Sequence, residues 1–178
     1  MLAIALRDAI DFAGPAAPGP LGERHGIWLY PDGYTLTPVE DGVPWWLRWA
    51  RARRYRVKLD ADCPLTYIGT DGLAYQPNRS YMTDMGSIPQ ALQTLLPKDS
   101  FLASFLLHDS GYTFGGHWIE GEFIPLPRSR VDWLLRECVL AEGGGPAIAQ
   151  AIWLAVRACG WLCGYGKRGD LAKSGNRL

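Results

Sequence analysis

The sequence predicts an α+β domain, with an N-terminal β-rich half of short antiparallel strands and hairpins packed on a C-terminal bundle of about four helices. Two patterns carry this. Up to about residue 80, short apolar runs are broken by Pro31-Asp32-Gly33 and Thr70-Asp71-Gly72, both turn signals. From Ser87 onward the apolar residues recur at helical spacing. The glycine and proline content, 21 and 13 of 178 residues, adds that elements are short and turns frequent.

Taken in order, Met1–Phe12 fits either a short helix or an edge segment, and Gly14–Gly22 is a loop broken by three prolines. Gly26–Thr37 holds two short strands around its Pro-Asp-Gly turn. In Pro44–Lys58, Trp45, Trp46 and Trp49 fit a helical turn, which passes into a strand where Tyr55, Val57 and Leu59 alternate with Arg56 and Lys58. Leu65–Gly69 and Leu73–Gln76 flank the Asp-Gly and form a hairpin. Ser87 caps a helix with one face of Leu92, Leu95 and Leu96 that Pro97 ends. A second helix starts at Asp99 or Ser100 and runs past His108 and Tyr112 to Gly115-Gly116. After a Gly- and Pro-rich connection, Ser129 caps a third helix, which Gly143–Gly145 stop. Pro146 opens the last helix, which ends near Gly164 and is apolar almost all round, as for a core helix packed on several sides. The chain divides into a basic-aromatic N-terminal segment (1–60), an α+β core (61–166) and a polar tail (167–178), within one compact domain.

Composition narrows the function classes. Hydrophobic residues are 48% and charged residues 20%, as in a globular chain. Eighteen basic residues balance eighteen acidic ones, which disfavours non-specific nucleic-acid binding. The zero net charge is uneven, however: Arg48–Lys58 carries +6 with no acid, leaving 12 basic and 18 acidic residues elsewhere. Leu2–Leu6 is too short and lacks the basic flank of a signal peptide, and no stretch reaches the length of a membrane span. Cys63, Cys138, Cys159 and Cys163 include no metal-type pair and read as buried free thiols. These features imply a reducing compartment.

Three groups of residues are candidates for chemistry. On a helix, His108 and Tyr112 share a face. A carboxylate on the next helix, Asp132, would hold one ring nitrogen of His108 while the other acts as general base, with Asp109 as a hard oxygen ligand for a divalent cation. The same residues also have structural explanations. A cationic His is favoured near a helix C-terminus, Asp132 fits a capping box with Ser129, and Asp109 fits a solvated charge. In Thr83–Pro89, Asp84 fits a turn former or a residue placed beside His108. The third group is Trp45, Trp46, Trp49, Arg51, Arg53, Arg54 and Arg56, which fits an interface with an acidic partner, a strand with an Arg-rich outward face, or, less readily, a track for single-stranded nucleic acid or an anionic surface.

From about Cys63 to Trp161, five short motifs occur in a telling order. They are a strand pair around Tyr67–Tyr75, Thr83-Asp84-x-x-Ser87-Ile88-Pro89, Leu107-His108-Asp109-x-x-Tyr112, Ser129-Arg130-Val131-Asp132 and Ala155-Val156-Arg157-x-x-Gly160. This stretch resembles a phage and prophage family catalogued as domain-of-unknown-function family 1353. It departs from the family pattern at Val131, usually Ala, and at Met85, often aromatic. Its His-Asp-x-x-Tyr helix in turn resembles the paired helices of secreted phospholipase A₂. That likeness implies His108 as the base that activates water, Asp109 as a Ca²⁺ ligand, and Tyr112 and Asp132 as groups orienting His108. The Gly-rich calcium loop and the disulfides of those enzymes have no match, so Thr83–Pro89, with Asp84 as a further oxygen ligand, would take the loop's place. The resemblance implies a virion or host-cytoplasmic protein acting on a lipid or other ester. Alternatively, it implies a structural component of a phage tail or neck, docked on other phage proteins through its Trp/Arg-rich segment.

Overall fold

The computed structural model describes residues 25–39, 55–83, 101–163 and 165–166. Eight strands and three helices lie among them: β1 (Ile27–Trp28), β2 (Tyr34–Pro38), β3 (Tyr55–Leu59), β4 (Tyr67–Ile68), β5 (Ala74–Gln76), β6 (Ser80–Thr83), α1 (Leu102–Phe114), β7 (Gly116–Ile119), β8 (Glu122–Pro125), α2 (Arg128–Ala141) and α3 (Pro146–Cys163). The class is α+β, with three helices among the described residues rather than four; the helix expected from Ser87 lies outside them.

The strands form two antiparallel sheets, β1-β4-β5-β7-β8 and β2-β3-β6. The Asp-Gly hairpin forms as expected, pairing Tyr67 with Tyr75 and Ile68 with Ala74, and Gly72 takes the positive φ of 78° that the turn needs. The Pro-Asp-Gly segment does turn the chain, but it does not make a hairpin. β1 pairs with β4 and β2 with β3, so the turn hands the chain from one sheet to the other.

Two strand regions had not been anticipated. Residues 80–83 join β3 as β6, with Tyr81 opposite Val57. The connection after α1 is a hairpin, β7–β8, whose central residues Glu120 and Gly121 have φ of 52° and 88°. Positive φ at both positions is the type I′ geometry that matches strand twist. Glu is a poor signal for that turn, and Gly116 and Pro125 at the strand ends hide the pattern.

α1 lies between the two sheets. Leu106 packs with Val57, Leu59, Leu65, Tyr81, Ala103 and Phe114, against the three-stranded sheet. Leu107, one residue on and so turned by about 100°, packs with Tyr67, Tyr75, Ile119, Leu134 and Cys138, joining the five-stranded sheet to α2. α2 and α3 share a third cluster, Leu135, Val139, Leu140, Ala149, Ile152 and Val156. α3 is therefore not buried all round. Ala149, Ile152 and Val156 form one buried stripe, while Ile148 and Leu154 are exposed. No helix among the described residues is long and apolar enough to cross a membrane.

Local signals also moved at helix ends. α1 begins after Phe101, whose φ of 63° is left-handed, and ends on Gly115 at φ 76° as expected. α2 starts at Arg128 after an extended Pro127, so Ser129 lies inside the first turn rather than capping it. Cys138 is buried and free as expected, but Cys63 is exposed.

Candidate functional site

The His-Asp-Ser-Gly-Tyr run lies in the second half of α1, where the helix is enclosed on several sides. Every residue in it has a contact that explains it. His108 Nε2 is 3.2 Å from Asp132 Oδ1, and the Tyr112 hydroxyl donates to the same oxygen at 2.7 Å. The His108 and Tyr112 rings lie 4.4 Å apart, as their i, i+4 spacing requires. Asp109 Oδ2 accepts the Thr83 hydroxyl at 2.6 Å, and its Oδ1 lies 3.9 Å from His108 Nδ1. Ser110 Oγ accepts the backbone N–H of Asn78 at 2.8 Å. Gly111 lets α1 approach β7 and α2, since a Cβ there would lie 2.7 Å from the His117 ring and from Val131.

The predicted pairing of His108 with Asp132 is thus present, but its setting differs from expectation. The two helices are connected by the β7–β8 hairpin, which occupies the Gly- and Pro-rich connection. His108 is not on a helix surface: it is 5% exposed, and Asp132 is fully buried. Asp132 is not a capping-box carboxylate either, because its oxygens face inward. Its Oδ2 accepts from Arg157 Nη1 at 2.9 Å and from Arg128 Nε at 3.3 Å. Arg128 also donates to the Arg157 backbone carbonyl at 2.6 Å, tying α2 to α3.

The electrostatics follow from this arrangement. Burial would raise the Asp132 pKa, but hydrogen bonds from His108, Tyr112 and Arg157 hold it down at about 2. Burial would lower the His108 pKa, but Asp109 and Asp132 on its two sides outweigh this and raise it above the ordinary histidine value. Burial and Asp132 push the Tyr112 hydroxyl up, so it stays a donor. With Asp132 ionised, His108 carries its hydrogen on Nε2, and in the neutral ring Nδ1 holds the lone pair on the Asp109 side.

A Ca²⁺ ion takes six to eight oxygen ligands. Here Asp109 supplies one carboxylate beside His108, with one oxygen already accepting from Thr83. No group of three His, Cys, Asp or Glu suited to a metal occurs among the described residues. These residues alone do not fit a calcium site, and Asp84 lies outside them. Trp45, Trp46, Trp49, Arg51, Arg53 and Arg54 also lie outside them. Arg56 is described. It sits exposed on β3, as does Lys58, while Val57 and Leu59 are buried, so this strand does have a basic outward face.

Sequence reasoning gave no role to Arg128, Arg157, Thr83 or His117. Arg128 could have been found, being four residues before Asp132 on one helix. The others depend on contacts between distant elements. His117 on β7 is buried with no hydrogen-bond partner at either ring nitrogen, and that burial lowers its pKa to about 3. Comparison of the chain with protein-family models, curated proteins and solved structures finds no match.

Proposed function

We propose that the chain is an ester hydrolase of phospholipase A₂ type, carried by a phage or prophage, with His108 as general base. One observation carries this reading: Asp132 fixes His108 Nε2 at 3.2 Å, so the lone-pair nitrogen Nδ1 faces Asp109 rather than Asp132. A carboxylate behind an imidazole sets its tautomer and stabilises the imidazolium formed during reaction. In the proposed step, Nδ1 takes a proton from water while the water oxygen adds to the ester carbonyl. The tetrahedral intermediate then collapses, the ester C–O bond breaks, and the leaving alkoxide takes the proton back from Nδ1. Tyr112 and the two arginines keep Asp132 ionised and in place throughout. The phage assignment rests on the five-motif resemblance, and a Ca²⁺ ion held by Asp109 with Asp84 belongs to the same proposal.

The test is hydrolysis of phospholipid vesicles and short-chain ester substrates by the purified chain, with calcium and with chelator. The expected outcome is activity in the wild type, lost in a folded His108→Asn variant. An inactive wild type across both substrate sets overturns the reading.

A second reading is favoured by the burial of the pair. His108 and Asp132 are enclosed, and both Asp132 oxygens are occupied by protein donors. A polar network of this kind can serve to fix the packing of α1 on α2 in a structural phage protein that docks through its Trp/Arg-rich segment. Here Trp46→Ala with Arg54→Ala abolishes incorporation into particles, and His108→Asn, if folded, does not. Normal incorporation of the double variant overturns it.

A further inference from the structure

The α2–α3 surface holds an open, shallow cavity of about 490 Å³ lined by Ser129, Arg130, Trp133, Trp153 and Arg157, the last of which also binds Asp132. We propose that the cavity binds a small anionic amphiphile, with the charged head on Arg157 and Ser129 and a flat apolar body against the two indoles.

The lining contains two guanidinium groups and no acid. Arg130 is committed to protein partners, since it binds Asp71 at 2.6 Å and faces Glu137 at 3.5 Å. Arg157 differs. Its Nη1 donates to Asp132, its side chain is 38% exposed, and its other guanidinium nitrogens have no acceptor among the described residues. Asp132 shares one negative charge between Arg157 and Arg128, so the trio keeps an excess positive charge at the cavity edge. Ser129 brings a hydroxyl from the first turn of α2, which has no side-chain cap and no acidic residue.

The apolar side is equally specific. Trp133 and Trp153 meet edge to face with ring centroids 6.2 Å apart, and Trp133 is 41% exposed. The ring nitrogen of Trp153 is buried without a partner. A cation and two exposed or half-buried indoles side by side match a ligand that is charged at one end and flat and apolar at the other.

Isothermal titration of the full chain with 1-naphthyl phosphate, inorganic phosphate and 1-naphthol tests this. The expected result is that 1-naphthyl phosphate binds at least about tenfold tighter than either fragment, and that Arg157→Gln and Trp133→Leu each weaken it about tenfold. Lys58→Gln, which removes an exposed cation on β3 away from the cavity, leaves its Kd within about twofold. Trp133 is surface-exposed, so Trp133→Leu keeps the test decisive even if Arg157→Gln does not fold. Affinity for 1-naphthyl phosphate no better than for 1-naphthol, or unchanged in Trp133→Leu, overturns the proposal. Binding is read without hydrolysis, so the result is independent of the activity proposed for His108.

Discussion

His108 and Asp132 meet across two helices 24 residues apart in sequence, Nε2 to Oδ1 at 3.2 Å, and the carboxylate is the shared acceptor of four side chains. α1 contributes His108 and Tyr112, α2 contributes Arg128, and α3 contributes Arg157. One buried anion therefore ties the three helices together.

Removing that charge is expected to be costly. Asp132→Asn leaves two guanidinium groups and His108 facing a neutral amide, and breaking a buried ion pair costs about 3–5 kcal/mol. Urea unfolding followed by circular dichroism should show a loss near the lower end, because the amide oxygen still accepts from Tyr112. A loss under about 1 kcal/mol would show that the network is not a major source of stability.

The raised His108 pKa sets the direction of any pH dependence. As a base His108 must be neutral, so the ascending limb of a pH–rate profile is expected above the ordinary histidine value of about 6.5. Arg128→Gln removes a cation near Asp132 and should move that limb further upward. In stability, a raised histidine pKa contributes fully below about pH 6.5, and the contribution is lost as pH rises through the folded value. Proton NMR of the His108 ring gives the titration directly.

His117 has the opposite sign. Its pKa falls to about 3 in the fold because burial disfavours the charged ring, and the positive charges of His108 and Arg130 repel it. Unfolded chains take up the proton near pH 6.5, so His117 lowers stability progressively from about pH 6.5 down to about 3, by at most about 5 kcal/mol in total. His117→Leu should flatten the acid limb of a stability–pH curve. A curve of unchanged slope would exclude His117 as a source of acid lability.

Gly111 is expected to resist substitution. The added methyl of Gly111→Ala would press on the His117 ring and on Val131, at 2.7 Å from each. Overpacking of this kind costs about 1–3 kcal/mol, more than the gain in helix propensity from Gly to Ala of about 1 kcal/mol. A net fall in melting temperature is the expected reading.

The β7–β8 turn offers a gain. Glu120 holds φ at 52°, where Asn is better tolerated. Glu120→Asn should stabilise by about 0.5–1 kcal/mol without altering the site, measured as a higher urea midpoint.

Much of this architecture follows from local sequence. Asp71-Gly72 fixes a hairpin because Gly72 accepts a positive φ at no steric cost. Pro146 and Gly115 mark helix ends, and the alternation in Tyr55–Leu59 separates a buried from a basic face. The spacing of His108 and Tyr112 put both on one helix face from the start. The tertiary structure decided the rest. Whether Pro31-Asp32-Gly33 closes a hairpin or passes the chain between sheets depends on which partners β1 and β2 find. α3 is apolar nearly all round in sequence, yet among the described residues it buries one stripe, against α2 and Phe105 of α1. Above all, the sequence supplied His108 and Asp132 as candidates, while only packing put them in contact, enclosed them, and added Arg128 and Arg157 to the same carboxylate. Local spacing sets the face of a helix on which a side chain sits. The charge it meets, and whether water reaches it, depend on elements distant in the chain.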